Sequence, residues 1–298
     1  MKTAFIAIVG RANVGKSTLL NSIVGQKVAI VSDKPQTTRN RITGIYNSDQ
    51  VQFVFVDTPG LHKPRNKLGE RMIREVSEAL DGIDAVLMVV EPRRPGSAET
   101  RLIEKLSVAQ VPVILVINKV DINSKADVAQ AIDDYSKLFD FASIVPVSAL
   151  ESDGVDIILD ELMPFAEECD EPFYPDDIPT SQTVRQMVCE IMREKILLNM
   201  YDEVPHGVAV EVVSFSERQS RDGSPVTDIS VDIICERDSH KSMIIGKSGE
   251  KLKKIASQAR ADIEQLVGMR VNLKCFVKVR ENWRNNDRII SELHLYDQ

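Results

Sequence analysis

The sequence predicts an α/β domain with a mainly parallel, doubly wound sheet, followed by a smaller α+β domain with a three-stranded sheet. Three observations predict it. A chain of 298 residues is about twice the usual size of one domain and long enough for two separate cores. In its first half, short runs rich in β-branched residues alternate with segments of helical period. The pattern then changes after DEPFYPDDIPT at 170–180, whose three prolines can continue neither a helix nor a central strand. The expected division is a first domain at 1–168, a linker at 169–181, and a second domain at 182–298 with a helix at its end.

Taken in order, Phe5–Val9, Phe53–Val56, Ala85–Val90, Val113–Ile117 and Ile144–Val147 are short apolar runs that read as strands buried on both faces. Between them, Ser17–Val24, Leu68–Leu80, Ala98–Leu106 and Val128–Leu138 carry apolar residues at helical spacing, and Asp153–Phe165 reads as the closing helix. In the second half, a helix over Thr183–Met200 precedes a strand over Val208–Phe215. The RDGSP turn at 221–225 leads into alternating Ile229, Val231, Ile233 and Cys235. Two helices follow. The second places Leu252, Ile255, Ala259, Ile263 and Leu266 on one face, and the last strand alternates Val271, Leu273, Cys275, Val277 and Val279.

Composition narrows the function classes. Hydrophobic residues make up 43% and charged residues 28%, which excludes a disordered chain or a coiled coil. The longest apolar runs fall far short of the roughly 20 residues that span a bilayer, and the N-terminus lacks the pattern of a signal peptide, so a cytoplasmic protein is expected. Cys169, Cys189, Cys235 and Cys275 are scattered without metal-ligand spacing and read as reduced thiols. The net charge of −8 conceals an asymmetry: Lys241 to Arg288 holds 12 Lys+Arg against 5 Asp+Glu. That block could attract a polyanion, either an RNA backbone or anionic lipid.

Four motifs carry the chemistry. Gly10, Arg11, Ala12, Asn13, Val14, Gly15, Lys16, Ser17 and Thr18 form GRANVGKST between a predicted strand and a predicted helix. There the glycines let backbone amides wrap phosphates, Lys16 neutralises the outer phosphates, and the Ser17 hydroxyl can ligate magnesium. Asp57, Thr58, Pro59 and Gly60 form DTPG at the end of another strand, where the carboxylate can reach the magnesium shell and the Gly60 amide can meet a γ-phosphate oxygen. Asn118, Lys119, Val120 and Asp121 form NKVD: the Asp121 carboxylate can accept from guanine's imino and amino groups, and the Lys119 stem can pack over the ring. Ser148 and Ala149 lie in VSAL, where the Ala149 amide could donate to the guanine keto oxygen. The order of these loops favours GTP over ATP and disfavours a small-molecule kinase.

These residues resemble the translation-factor-related class of P-loop GTPases over roughly the first 165 residues. Within that class KPQTTRNR, 34–41, is similar to the effector loop of the Era group. The resemblance implies that a threonine closes over magnesium when GTP is bound, with Thr38 favoured over Thr37. The metal ligands are then Ser17, Thr38 and Asp57, and the residues acting on the transferred phosphoryl group are Lys16, Asn13, Thr38 and Gly60. Leu61 follows DTPG where Ras-like enzymes have a water-orienting glutamine, which implies slow intrinsic turnover. Asn13 is similar to an asparagine that holds potassium against the phosphates in related GTPases, the alternative being a hydrogen bond within the loop. Ala12 departs from the proline usual in that family.

In the second domain, Gly246, Lys247, Ser248 and Gly249 form a G-x-x-G between two helices, preceded by Ile244 and Ile245 and followed by Lys251, Lys253 and Lys254. That arrangement can clamp about four single-stranded nucleotides, glycines admitting the backbone and apolar residues taking the bases. Ile244, Ile245, Gly246, Lys247, Ser248, Gly249, Lys251 and Lys254 are the candidate RNA contacts. The element order resembles the type II KH domain, and a KH domain behind this GTPase is the Era arrangement over essentially the whole chain. The resemblance implies a ribosome-assembly GTPase, monomeric, that binds the 3′ end of small-subunit ribosomal RNA and the small ribosomal subunit. The competing expectation is a GTPase whose second domain docks on a protein or, peripherally, on the inner face of the cell membrane.

Overall fold

The strands of the first half are as apolar as their sequence requires. In the computed structural model, which describes residues 1–34, 37–60, 66–79, 82–201, 204 and 207–293, every residue of Ala85–Val90 and Val113–Ile117 is buried. Two compact units divide the chain, one of residues 1–65 and 69–181 and the other of 66–68 and 182–298.

The first unit runs β1 (Lys2–Gly10), α1 (Lys16–Val24), β2 (Ile42–Asn47), β3 (Val51–Asp57), α2 (Lys67–Glu78), β4 (Ala85–Val90), α3 (Ser97–Ala109), β5 (Val113–Ile117), α4 (Lys125–Ser136), β6 (Ser143–Pro146), α5 (Val155–Leu162) and β7 (Glu167–Glu168). The strand order is β2-β3-β1-β4-β5-β6, with β7 pairing the start of β1. All neighbours are parallel except β2 on β3 and β7 on β1. Alternation along each strand feeds two cores. Ile6, Ile8, Phe53, Phe55, Leu87 and Val89 pack under α1 and α5, whereas Ala7, Val9, Val86, Met88, Leu115 and Ile117 face α3 and α4. Each fully buried Val, Leu, Ile, Phe or Met side chain among them contributes about 1.5–3 kcal/mol.

Two strands were not expected: β2, which pairs antiparallel with β3 from Ile42↔Asp57 to Asn47↔Gln52, and β7, which pairs with the start of β1. The expected helix at 68–80 is observed as α2, Leu80 lying outside the described residues.

The proline-rich segment runs along the β2 edge of the first unit. The Phe173 ring sits 4.8 Å from Phe5, and Gln52 exchanges hydrogen bonds with the Tyr174 backbone, accepting from N at 3.0 Å and donating to O at 2.8 Å. Asn47 Nδ2 donates to the Asp176 carbonyl at 3.0 Å, the Ile45 amide to the Pro179 carbonyl at 2.8 Å, and Thr180 Oγ1 to the Thr43 carbonyl at 2.6 Å. Prolines lack an amide donor but keep their carbonyls, so such a segment can satisfy an edge strand without extending the sheet.

The second unit runs α6 (Val184–Asn199), β8 (Ala209–Gln219), β9 (Pro225–Cys235), α7 (Asp238–Ile245), α8 (Glu250–Val267), β10 (Arg270–Val279) and α9 (Asp287–Glu292). Thr183 caps α6 and forms a capping box with Gln186. The sheet order is β10-β9-β8, with β10 parallel and β8 antiparallel to β9. Its core gathers Val188, Met192 and Ile196 from α6, Ile255, Ala259 and Ile263 from α8, and the alternating residues of β9. Among the described residues no helix is long and apolar enough to cross a membrane.

Candidate functional site

Strands β1, β3, β5 and β6 all end on one edge of the sheet, and each motif is the loop that follows. The first of these loops shows why glycine is needed. A Cβ on Gly10 would stand 2.3 Å from the Val89 carbonyl oxygen, and one on Gly15, at φ +97°, would stand 2.2 Å from Asn118 Nδ2. Lys16 opens α1 from this turn and is nearly buried. Its Nζ donates to the Gly10 and Arg11 carbonyls at 3.3 and 3.1 Å, and burial pulls its ammonium below the usual lysine range.

Opposite it, Ser17, Thr38 and Asp57 converge. Ser17 Oγ donates to Asp57 Oδ2 at 2.6 Å and lies 2.8 Å from Thr38 Oγ1, which is 3.4 Å from the same carboxylate oxygen. Asp57 is fully buried, and its Oδ1 has no hydrogen-bond partner among the described residues. Burial pushes its carboxyl up, offset by the Lys16 ammonium and by the two hydroxyls. An orphaned carboxylate oxygen beside two hydroxyls fits a hard divalent cation, and a buried ammonium held by neutral carbonyls fits an anion. Thr37 turns the other way: its hydroxyl donates to the Lys34 carbonyl at 2.6 Å and lies 2.7 Å from Ser32 Oγ.

These groups open on a cavity of about 470 Å³ lined by the loop from Ala12 to Thr18, by Thr37, Thr38, Gly60 and Lys119, and by Ile30–Asp33. Sequence reasoning missed Ile30–Asp33. The available signal was the VAIV run before the effector loop, too short for a helix, which Asn21 pins by accepting from the Val28 and Ala29 amides. Asn13 adopts φ +67°, and its Nδ2 donates to the Asp33 carbonyl at 2.5 Å. Gly60 presses on the first loop, since a Cβ there would lie 2.6 Å from Ala12 Cα. Leu61 lies outside the described residues.

Asn118 joins three loops. Its Nδ2 donates to the Val14 carbonyl at 2.8 Å, while its Oδ1 accepts from the Lys119 and Ala149 amides at 2.8 and 2.9 Å. The Ala149 amide, which the sequence reading assigns to the base, is thereby tied to the buried Asn118 side chain. Ser148 exchanges backbone hydrogen bonds with Asp153, and the Val120 amide donates to the Val147 carbonyl at 3.2 Å. Thr58 is likewise structural in its side chain, donating to the Ile8 carbonyl at 2.9 Å. Asp121 is exposed on a single 3-10 turn, Val120–Ile122.

In the second unit, Gly246 has φ +72°, and a Cβ there would lie 2.7 Å from that of Lys251. Ser248 is left-handed at φ +50°, and Gly249, at φ +80°, faces open space. Lys247 and Ser248 are exposed at the tip. Ile244 corrects the sequence reading: it is fully buried in the core, so only Ile245 of that pair can offer apolar surface. The helix phase that decides between adjacent isoleucines is set by packing on β9 and β10. Lys254 lines a shallow groove with Lys195, Asn199 and Gln258 on the α6 side of α8, whereas Lys251 stays beside Gly246.

Comparison with known proteins agrees with both halves. A family described as 50S ribosome-binding GTPase matches residues 5–119, and the KH domain family matches 203–284. GTPase Era of Ruminiclostridium cellulolyticum is 47% identical over 293 residues, covering 98% of this chain and 97% of its own. The chain belongs to the Era family of GTPases. GTPase Era of Clostridioides difficile is 45% identical over 299 residues, with 100% and 99% covered. A crystal structure of Era in complex with MgGDPNP and nucleotides 1506–1542 of 16S ribosomal RNA matches all of both chains at a TM-score of 0.94 and 33% identity. A variant of Aquifex aeolicus Era bound to GDP and AlF4− matches at 0.93. This Era-family chain is thus a GTP-hydrolysing enzyme built from a P-loop domain and a C-terminal KH domain.

Proposed function

We propose that this chain is a GTP-operated switch that binds the 3′ end of small-subunit ribosomal RNA during assembly of the small subunit, and that it works as a cytoplasmic monomer. The observation that carries the reading is the end-to-end likeness to Era bound to MgGDPNP and 16S ribosomal RNA. The broad description of the P-loop family names the 50S particle, but it covers residues 5–119 alone. The whole-chain likeness includes the domain that would touch RNA and takes precedence.

In this reading the amides and glycines of Gly10–Ser17 wrap the phosphates of GTP, and Lys16 meets the outer ones, exchanging its carbonyl partners for a charge-assisted contact. Ser17 and Thr38 would hold magnesium with Asp57 behind them, and the ion, once bound, neutralises charge on the β- and γ-phosphates. The Thr38 and Gly60 loops then report whether the γ-phosphate is present, because that phosphate would offer each loop a further contact only while it is there. Leu61 cannot hydrogen-bond a water, so attack relies on positioning by the backbone and turnover is slow. Lys247, Ser248 and Lys251, with the amides around Gly246 and Gly249, clamp the RNA backbone, and Ile245 supports a base.

Asn13 adds a finer element. With Nδ2 on the Asp33 carbonyl, its Oδ1 is the atom that could face a monovalent cation beside the phosphates. Turnover should rise when sodium is replaced by potassium at constant ionic strength, and Asn13→Ala should remove the response. Equal rates of phosphate release in the two salts, at saturating GTP and magnesium, would end the potassium role and leave the GTPase untouched.

The reading as a whole is tested by calorimetry with GTP and ATP and by anisotropy with single-stranded RNA from the small-subunit 3′ end. GTP should bind far more tightly than ATP, and the RNA should bind at physiological salt. Equal binding of ATP would overturn the nucleotide assignment. Binding of the basic block to anionic vesicles that RNA does not displace would favour the peripheral membrane reading.

A further inference from the structure

Lys119 is held by a residue that no motif includes. Its backbone is left-handed at φ +68°, and its side chain runs from the loop after β5 back to the loop after β1. There Nζ donates to the Asn13 carbonyl at 2.8 Å and to Glu91 Oε1 at 2.5 Å. Glu91 is the first residue beyond β4, its side chain 21% exposed, and its second oxygen takes Arg93.

We propose that Glu91 is a positioning residue for the nucleotide, fixing the Lys119 side chain so that its methylene stem forms the platform on which the guanine ring lies. The inference rests on the GTP site proposed above and adds a residue to it. A lysine stem is a poor platform unless its end is anchored, because four rotatable bonds let it sweep away from the ring. Here one anchor is a neutral carbonyl and the other a carboxylate. Burial and the nearby Arg93 both act against the Lys119 ammonium, and Asp121 acts in its favour. Glu91 supplies the countercharge at hydrogen-bond distance and compensates Arg93 with its other oxygen. Because β4 lies between β1 and β5, the residue at its end is the one that can brace the phosphate loop and the base loop together.

GDP and GTP share the base, so loss of the platform should weaken both by the same factor. In the full-length chain, Glu91→Ala should raise the Kd for each about tenfold, the scale of a partly exposed charge-assisted hydrogen bond. Dissociation of fluorescently labelled GDP should speed up by a similar factor. Turnover at saturating GTP should move less than about twofold, because phosphate contacts are intact, so the loss falls on KM. The preference for GDP over inosine diphosphate, which lacks the amino group facing Asp121, should stay as in wild type. Glu91→Gln keeps the length and one acceptor and should lose about threefold, which also covers the case in which the alanine variant does not fold. Unchanged Kd values in a folded variant, a loss confined to GTP, or fewer sites per chain with normal Kd would each overturn the proposal. Failure of the wild-type chain to bind GDP would instead remove the site on which it rests.

Discussion

Asp121→Asn is expected to lose about 2 to 4 kcal/mol of GTP affinity, a factor of roughly 30 to 1000, while gaining xanthine nucleotides. The carboxylate offers two acceptors to the imino and amino groups of guanine. Asparagine keeps one acceptor and presents a donor in place of the other, which suits xanthine, with a keto group where guanine has its amine. Nothing in the fold should suffer, since Asp121 is exposed on a short turn. Calorimetry with GDP and xanthosine diphosphate reads both changes. A variant that keeps GTP within about threefold and ignores xanthine nucleotides would show that another group reads the base.

The second large effect is expected in the KH domain. Replacing Lys247 and Ser248 together by aspartate places two negative charges at the exposed tip, where the flanking Gly246 and Gly249 would admit an RNA backbone. Repulsion plus two lost donors should cost a few kcal/mol, or about 100-fold or more in RNA binding at fixed salt. Neither residue belongs to the core built by Ile244, Ile255 and Ile263, so the variant should keep its thermal transition. GTP affinity should not change. Anisotropy with single-stranded RNA decides: if variant and wild type bind alike, the basic face serves a membrane or a protein.

Much of this was legible because the motifs sit where physics leaves little choice. GRANVGKS, DTPG and NKVD each follow a run too apolar to be anything but a buried strand, and VSAL follows the half-buried edge strand β6, so their shared edge could be read from order alone. What escaped was set by contacts distant in sequence. Strand β2, ITGIYN, carries a glycine that weakens its pattern, and only the packing of α1 shows why glycine is there: a Cβ on Gly44 would stand 2.5 Å from Leu20 Cδ1. The tie between the Ala149 amide and Asn118, 31 residues away, could not be read from the order of the motifs. Glu91 carried no signal, because one acidic residue at a strand end means nothing until its partner Lys119 is placed beside it.

The proline-rich segment along β2 bears on how this protein can be divided. Cut after Glu168, a shortened GTPase half would lose the Pro179 carbonyl that receives the Ile45 amide and the Thr180 hydroxyl on Thr43. It would then carry a bare edge strand, whose unpaired N–H and C=O groups are a template for self-association into aggregates. Cut after Ser181, it keeps its own cover. The longer fragment should stay dispersed at high concentration where the shorter one clouds, which makes the segment a built-in guard against aggregation as much as a connector.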